Sequence, residues 1–258
     1  MASALIGYSG FVGGNLLRQS AFDDLYRSTN IHDIAGKSYD LIVSAGVSSL
    51  KWKANKDPAA DRAAIERLMT ALSSVRAKLF ILISTIAVYN CPLNVDEDSP
   101  LIPDEMMPYG RNRWDLEQFV SRHFNAVTVR LPNLFGDGLK KNVIFDLLHQ
   151  NNVDLIQDEA VLQWYSLDGL WADIQKVLHH RIPLINIAAE PWSTRDLTRE
   201  VFGIDLDNHR PGPAPRYDFR SKYAALWGRT GGYLYGRDDV RERLVQFVAR
   251  ERARLHAS

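Results

Sequence analysis

The feature of this sequence that most constrains its fold is a glycine-rich turn near the start. An apolar run at residues 4–6 leads directly into three glycines spaced three residues apart, Gly7, Gly10 and Gly13. The run predicts a short buried strand, and the residues from Asn15 onward predict a helix. A strand, a tight turn and a helix N-terminus together form an anion site, because backbone N–H groups and the positive end of the helix dipole converge there.

Each glycine of this turn has its own steric task. Gly7 permits the turn, Gly10 lets a phosphate approach the backbone, and Gly13 lets the helix pack close to the strand. The spacing differs from the commoner Gly-x-Gly-x-x-Gly, and glycine turns also follow strands for purely steric reasons. Its place in the first strand–helix unit nevertheless favours the binding of a dinucleotide.

The composition is that of an ordinary globular protein. The 258 residues are 46% hydrophobic and 24% charged with a net charge of zero, so no overall charge favours nucleic acid or an anionic membrane. The single cysteine, Cys91, excludes an internal disulfide and fits a reducing compartment. The histidines are scattered without metal-site spacing, and no signal peptide or membrane-spanning stretch is evident. We therefore expect a cytoplasmic protein without a metal and without a nucleic-acid or membrane partner.

The order of predicted elements favours a doubly wound parallel sheet. Strands are predicted at residues 24–28, 40–45, 79–85 and 126–131, and helices at 15–21, 58–74 and 109–123. Strands that alternate with helices are typical of the α/β class. The connection between the strands at 24–28 and 40–45 is too short for a full crossover helix, so we expect at most a stub at 31–34.

Beyond residue 132 the pattern changes. We expect residues 1–140 to form the dinucleotide-binding region and residues 141–258 a small substrate-binding region, partly integrated with the first. In this second region helices are predicted at 143–149, 169–179, 195–202 and 238–255, and strands at 154–156 and 183–188. Asp168 is a predicted cap of one helix, and Ser193 or Thr194 of the next.

Reactive side chains follow the ends of the predicted elements. Thr85 ends a buried strand at the edge where open parallel sheets bind ligands, although a hydroxyl there also serves as a simple strand cap. Tyr109 and Arg113 lie four residues apart at a helix start and therefore share a face. A cation beside a phenol lowers the pKa of tyrosine, as an acid or base near neutral pH requires. The alternative is an ordinary surface tyrosine–arginine pair.

Together these stretches resemble the extended short-chain dehydrogenase/reductases, a family of NAD(P)-dependent epimerases, dehydratases and reductases that act on sugar nucleotides. The resemblance covers residues 1–140 closely and the remainder loosely, and it implies a Rossmann-like doubly wound parallel sheet. The family has an aspartate followed by an aliphatic residue that contact adenine, and Asp33 and Ile34 match that pair. Cofactor contacts are implied for this pair, for the glycine turn, for the strand end at 44–46 and for three later positions: Gly7, Ser9, Gly10, Phe11, Val12, Gly13, Asp33, Ile34, Ala45, Gly46, Tyr109, Arg113 and Pro132.

The resemblance also implies a reaction. Tyr109 exchanges a proton with the substrate, Thr85 bonds the reacting oxygen, and Arg113 holds the nicotinamide ribose. The family's 4,6-dehydratases have Asp-Glu after the catalytic threonine, and members that epimerise beside a ketone have a cysteine there, whereas Ile86 and Ala87 stand in this chain. Hydride transfer at one carbon remains, as in a 4-keto-sugar reductase or a 4-epimerase. Substrate contacts are expected from Thr85, Asn133, Lys140, Lys141 and Arg220, the last three toward a diphosphate.

Two departures from the family keep other functions open. Arg113 stands where the family has lysine, and its planar fork is not a point charge. Ile65 stands where many members have an asparagine, so the proton relay through that helix is expected to be missing or rerouted. A redox-inactive NAD(P)-binding regulator on the same fold is therefore an alternative, and a chance glycine turn in an unrelated α/β protein is another.

The end of the second predicted strand bears on the choice of cofactor. NAD-binding proteins often place a carboxylate there, whereas an arginine accommodates the 2′-phosphate of NADP. Residues 27–30 offer Arg27 and hydroxyl groups but no carboxylate. The sequence therefore favours NADP, with NAD possible, unless Arg27 simply points to solvent. The expected substrate is a sugar nucleotide, and a homodimer is left open.

Overall fold

The computed structural model describes residues 2–257. Its α-helices are α1 (Phe11–Gln19), α2 (Lys51–Lys56), α3 (Pro58–Leu72), α4 (Pro108–His123), α5 (Val143–His149), α6 (Leu170–His179), α7 (Thr194–Leu197) and α8 (Arg237–Ala257). Its strands are β1 (Ser3–Ile6), β2 (Asp24–Tyr26), β3 (Ser38–Ser44), β4 (Arg76–Thr85), β5 (Leu93–Val95), β6 (Ala126–Leu131), β7 (Asn133–Phe135), β8 (Val161–Leu162), β9 (Trp164–Ser166), β10 (Leu184–Asn186), β11 (Trp192–Ser193) and β12 (Asp218–Phe219).

The chain divides into two compact units. The first contains the residues up to Asn90 together with Asp98–Leu131 and Asp168–Asn186. The second contains Cys91–Glu97, Pro132–Leu167 and the residues from Ile187 onward. The chain therefore leaves the first unit after β6 and returns to it for α6 and β10.

The first unit is built on a six-stranded parallel sheet in the order β10-β6-β4-β3-β1-β2. Ile6, Ile42 and Phe80 lie in one core cluster with residues of α3 and α4. The alternate positions Leu5 and Val43, on the other face of the sheet, are also fully buried. Both faces are covered, which confirms the predicted doubly wound α/β sheet.

The strand order reverses at β1. From β1 the chain passes to β2 on one side, and from β2 it crosses to β3 on the other. The connection between β2 and β3 holds only the 3₁₀ helix Ile31–Ile34, which confirms the predicted stub. Ligands of open parallel sheets bind outside the carboxyl ends of the strands at such a reversal, where the glycine turn lies.

The strand β6 and the helix α5 have the predicted bounds, but several other predicted boundaries differ from the observed ones. The first helix was expected at 15–21, but α1 begins at Phe11, because the chain enters the helix directly from Gly10. The predicted strand at 154–156 is wrong: Val153–Leu155 is a 3₁₀ helix, entered from a left-handed residue at Asn152. The predicted cap Asp168 is also wrong, since α6 begins after Gly169 without a side-chain cap.

The second unit has a core of its own. Trp164, Trp192 and Phe247 are almost fully buried in it. The unit also contains three small strand pairs: β7 with β9, β8 with β11, and β12 with β5. Ser193 caps α7 through Asp196 N–H, and the helix continues with wider π turns to Phe202 before it ends at Gly203. No helix between residues 2 and 257 is long and apolar enough to cross a membrane.

The glycine turn is closed by backbone contacts that leave no room for side chains. Gly7 has a φ of +86°, and a β-carbon on it would lie 2.4 Å from the carbonyl oxygen of Ala45. A β-carbon on Gly13 would lie 2.1 Å from the carbonyl oxygen of Gly7. By contrast, a β-carbon on Gly14 would lie 3.5 Å from the oxygen of Tyr8, an ordinary contact.

The two neighbouring glycines of α1 give a matched test of this packing. We expect Gly13→Ala to reduce the free energy of unfolding by about 1–3 kcal/mol, because the helix must move away from the turn. Gly14→Ala should raise it by about 0.5–1 kcal/mol through helix propensity alone. Chemical denaturation measures both values, and equal stability of the two variants would contradict the close packing of α1 against the turn.

Candidate active site

The glycine turn presents an uncapped helix N-terminus. Gly7 N–H donates to the carbonyl oxygen of Tyr26 (2.7 Å), and Gly10 N–H donates to that of Gly7 (2.9 Å). No side chain caps α1 at Gly10, and the first N–H groups of a helix have no partner inside it. Ser9 and Gly10 are exposed, while Phe11 and Val12 are half-buried. The turn therefore offers backbone donors to an anion.

The other cofactor residues expected from the sequence differ in accessibility. Arg27 is exposed directly after β2, and its Nε donates to Thr29 Oγ1 (3.0 Å). Asp33 is exposed, but Ile34 is fully buried in the core, so its side chain offers no surface to a ligand. Ala45 is half-buried and Gly46 exposed after the end of β3.

Thr85 and Tyr109 are brought together by a close contact of two backbone segments. A β-carbon on Gly110 would lie 2.1 Å from the carbonyl oxygen of Ala87, so the start of α4 packs directly against the loop that follows β4. The Thr85 hydroxyl accepts from Ala87 N–H (3.2 Å) and also hydrogen bonds with the Tyr109 phenol. The sequence predicted no role for Gly110, although a glycine directly after Tyr109 is consistent with a close backbone contact there.

The Arg113 guanidinium lies over the Tyr109 ring. Its guanidinium carbon is 3.8 Å from the ring centroid, a cation–π contact, and its side chain is 4% exposed. The helical spacing predicted this shared face. The alternative of an exposed surface pair is wrong, because both side chains are buried.

The partner of Arg113 is Asp61 on α3, which the sequence interpretation missed. Arg113 Nη2 donates to Asp61 Oδ1 (2.9 Å) and Nη1 donates to Oδ2, and the Asp61 side chain is 8% exposed. Asn112 Nδ2 also donates to Oδ2 (2.8 Å). The interpretation had placed the relay position at Ile65, one turn later on α3, but Ile65 is buried in the core. The polar residue that reaches the pair is Asp61.

The pKa of Tyr109 differs from the expectation. Burial raises the pKa of Tyr109 most. The charge of Arg113 and hydrogen bonds with Thr85 and Arg113 lower it, and the charge of Asp61 raises it. The net pKa lies above the ordinary tyrosine value, so the sequence-based expectation of a lowered pKa is not met in the free protein. The phenol is therefore protonated at neutral pH.

A second buried charge network lies at the ends of β4, β6 and β10. Arg130 donates to Glu117 through Nε (3.1 Å) and Nη2 (2.7 Å), and through Nη1 to the Tyr89 hydroxyl (2.9 Å). Asn186 Nδ2 donates to the same hydroxyl (2.9 Å), and Ser84 donates to Glu117. Because Ser84 precedes Thr85, the network fixes the strand end that carries the candidate catalytic hydroxyl.

The remaining expected site residues belong to the second unit. Pro132 precedes β7, and Asn133 Nδ2 donates to the carbonyl oxygen of Gln163 (3.2 Å). Lys140 and Lys141 are exposed. Arg220 is committed to an ion pair with Asp218 (3.1 Å) and donates to Asn94 Oδ1 (3.0 Å). Within residues 2–257, no cluster of His, Cys, Asp and Glu is arranged to hold a metal ion.

Comparisons with known proteins support the fold. No protein-family model and no curated protein matches the sequence. Among solved structures, the chain is similar to the Bordetella bronchiseptica enzyme WbmG in complex with NAD and UDP, at 16% identity and a TM-score of 0.75 over 97% of this chain and 94% of that one. The chain is also similar to a dTDP-4-dehydrorhamnose reductase from Bacillus anthracis in complex with NADP, at 15% identity and a TM-score of 0.74 over 96% of this chain and 99% of that one.

A third similar structure is the UDP-glucose 4-epimerase of Thermotoga maritima with UDP-glucose. It has 14% identity and a TM-score of 0.72 over the full length of both chains. These similarities extend over nearly all of this chain, including the part beyond residue 140 where the resemblance in sequence is loose. The chain therefore has the Rossmann-like fold that the resemblance to extended short-chain dehydrogenase/reductases predicted.

Proposed function

We propose that the chain is a NAD(P)-dependent extended short-chain dehydrogenase/reductase that transfers a hydride at one carbon of a nucleotide-activated sugar, as a 4-keto-sugar reductase or a 4-epimerase. The observation that carries the proposal is the group formed by Thr85, Tyr109 and Arg113. It lies at the carboxyl edge of the sheet whose first turn offers an anion site, and both belong to the first unit.

The residues present fit a dinucleotide at two independent points. The uncapped start of α1 offers backbone donors to a pyrophosphate, and Gly10 leaves space for its approach. Arg113 Nε is buried without a hydrogen-bond partner in the described chain. Because a buried unpaired donor is costly, a ribose hydroxyl is a suitable acceptor for it.

The chemistry of the site follows from the protonation of Tyr109. A bound nicotinamide exchanges a hydride at its C4 with the substrate carbon. In reduction, Tyr109 gives its proton to the carbonyl oxygen as the carbon gains the hydride, so the carbonyl becomes an alcohol. The Thr85 hydroxyl hydrogen bonds to the same oxygen. A raised pKa keeps Tyr109 in the acid form that reduction of a carbonyl requires.

The ligands of proteins with the same fold support the proposed classes of substrate and cofactor. Proteins of the same fold bind UDP, UDP-glucose, NAD and NADP. Exposed Arg27 after β2 favours NADP, with NAD possible. Asn133, Lys140 and Lys141 remain the proposed substrate residues, whereas a phosphate at Arg220 has to compete with Asp218. A cytoplasmic location and a homodimer remain hypotheses.

A redox-inactive NAD(P)-binding regulator is the second candidate. The observation in its favour is the pairing of Arg113 with Asp61, which offsets part of the positive charge beside Tyr109. Binding of NADPH without any change in its absorbance when sugar nucleotides are added would support this alternative. A panel of UDP-, GDP- and dTDP-sugars and their 4-keto forms separates the two functions.

Cofactor binding at the glycine turn is tested by Gly10→Val. The backbone at Gly10 is extended (φ −83°, ψ 173°), and a β-carbon there would lie 3.2 Å from the Gly7 carbonyl oxygen, a tight contact, so the folding of the variant is checked by circular dichroism. We expect NADPH affinity to fall roughly 10- to 100-fold or more in calorimetry. Gly14→Ala is the control, with unchanged affinity. Wild-type affinity in Gly10→Val would place the site elsewhere.

Selectivity for NADP is tested by Arg27→Ala. Loss of a charge-assisted contact to the 2′-phosphate should weaken NADPH binding roughly 10- to 100-fold while NADH binding changes little. Arg76→Ala, an exposed arginine at the amino end of β4, controls for loss of a surface charge. Equal losses for the two cofactors, or none, would remove Arg27 from the phosphate.

The role of Tyr109 is tested by Tyr109→Phe once a substrate is found. The variant should transfer hydride about 10²–10⁴-fold more slowly, as is typical of the loss of a general acid. Its cofactor affinity should stay close to wild type, because only the phenol oxygen is removed. Turnover at the wild-type rate would exclude Tyr109 as the proton donor.

A further inference from the structure

We propose that Asp61 is a positioning residue for Tyr109: its carboxylate holds the Arg113 guanidinium over the phenol ring and occupies its terminal nitrogens, which leaves Nε as the donor for a ligand. This inference deepens the proposed function and rests on it for its catalytic meaning. The structural part, the control of Tyr109 by Asp61 through Arg113, can be measured without substrate or cofactor.

Hydrogen bonds engage four of the five N–H groups of Arg113. Nη1 donates to Asp61 Oδ2 and to the Tyr109 carbonyl oxygen (3.2 Å). Nη2 donates to Asp61 Oδ1 (2.9 Å) and to the Ser48 carbonyl oxygen (2.6 Å). Nε alone has no partner within residues 2–257. Any displacement of the guanidinium from the Tyr109 ring would therefore break these four hydrogen bonds.

Asp61 is itself held in its charged form. Burial alone raises its pKa, but the hydrogen bonds from Arg113 and Asn112 outweigh burial and keep the pKa below the usual aspartate range. The carboxylate thus faces three N–H donors while its side chain is nearly buried. A buried ion pair of this kind is weak evidence for stability, since desolvation offsets the attraction. Its effect on the neighbouring phenol is the more specific consequence.

The charges that act on Tyr109 come from two helices. Arg113 lies on its own helix α4, and Asp61 lies on α3. The end of β4 contributes the neutral Thr85 hydroxyl, and α2 contributes Asn55, whose Oδ1 accepts from Tyr109 N–H (3.0 Å). The lysines of α2 are exposed to solvent: Lys51, Lys53 and Lys56. Asp61 is therefore the group whose removal leaves the charge of Arg113 unopposed.

Asp61→Asn tests the inference, because it keeps the size of the side chain and removes its charge. The ionisation of Tyr109 should move to lower pH by about one pH unit or more. The measurement is an alkaline titration of tyrosinate absorbance, with the Tyr109→Phe version of each protein subtracted to isolate this phenol. An unchanged Tyr109 titration in folded Asp61→Asn would overturn the proposal.

Asp115→Asn is the matched control. Asp115 on α4 pairs with Arg62 on α3, so it forms an ion pair between the same two helices but has no contact with Arg113 or Tyr109 in the hydrogen bonds described. The control should leave the Tyr109 titration unchanged. The same shift in both variants would assign the effect to loosening of α3 against α4 and would also overturn the proposal.

A second pair of variants replaces the planar guanidinium, which needs both carboxylate oxygens, by an ammonium, for which one acceptor suffices; it therefore covers the case in which Asp61→Asn alone does not fold. In Arg113→Lys, the ammonium is attracted to Asp61, whereas the double variant Asp61→Asn/Arg113→Lys has a neutral partner. The double variant should ionise Tyr109 at lower pH than Arg113→Lys and bind NADPH more tightly. Identical titrations of the two would contradict the inference. A shift in titration without turnover of any sugar nucleotide would uphold it and count against the proposed enzyme activity.

Discussion

The arrangement of the candidate site depends on how closely backbone segments approach one another at the carboxyl edge of the parallel sheet. Side chains at Gly7 or Gly13 would overlap a neighbouring carbonyl group, and one at Gly110 would overlap the Ala87 carbonyl. These contacts fix the start of α1 against the first turn and the start of α4 against the loop after β4. Because the segments are held by backbone rather than by flexible side chains, Thr85 and Tyr109 have a defined separation, as a catalytic pair requires.

Those parts of the fold with local signals in the sequence could be predicted. The apolar run before the glycines, the stripe that buries Ile65 and Leu68, and the alternation of strands with helices led to the observed parallel sheet. Errors fell where local patterns compete. α1 starts at Phe11 because the glycine turn passes directly into the helix, although Gly13 and Gly14 have low helix propensity. The short apolar stretch at 154–156 became a 3₁₀ helix because its length suits several structures.

The pairing of Arg113 with Asp61 could not be found from the sequence, because 52 residues separate the two partners. A helical spacing of four predicts a shared face for Tyr109 and Arg113, but no local pattern says which residue of α3 faces them. The same holds for Arg130 and Glu117, which meet only when β6 and α4 pack together. Long-range ion pairs are set by tertiary packing, so the sequence predicted the shared face of Tyr109 and Arg113 but not the charge of Asp61 that opposes Arg113.

The opposite charges of Arg113 and Asp61 beside Tyr109 suit a proton donor better than the charge of Arg113 alone would. An unopposed arginine favours the phenolate, which has already lost the proton that reduction needs. With Asp61 in place, and with burial, the phenol stays protonated in the free protein. Under the proposed function, a bound nicotinamide would supply the hydride, and the positive charge that its ring gains would lower the pKa of Tyr109. Asp61 opposes the charge of Arg113 and so helps burial to keep the Tyr109 proton in place until that change.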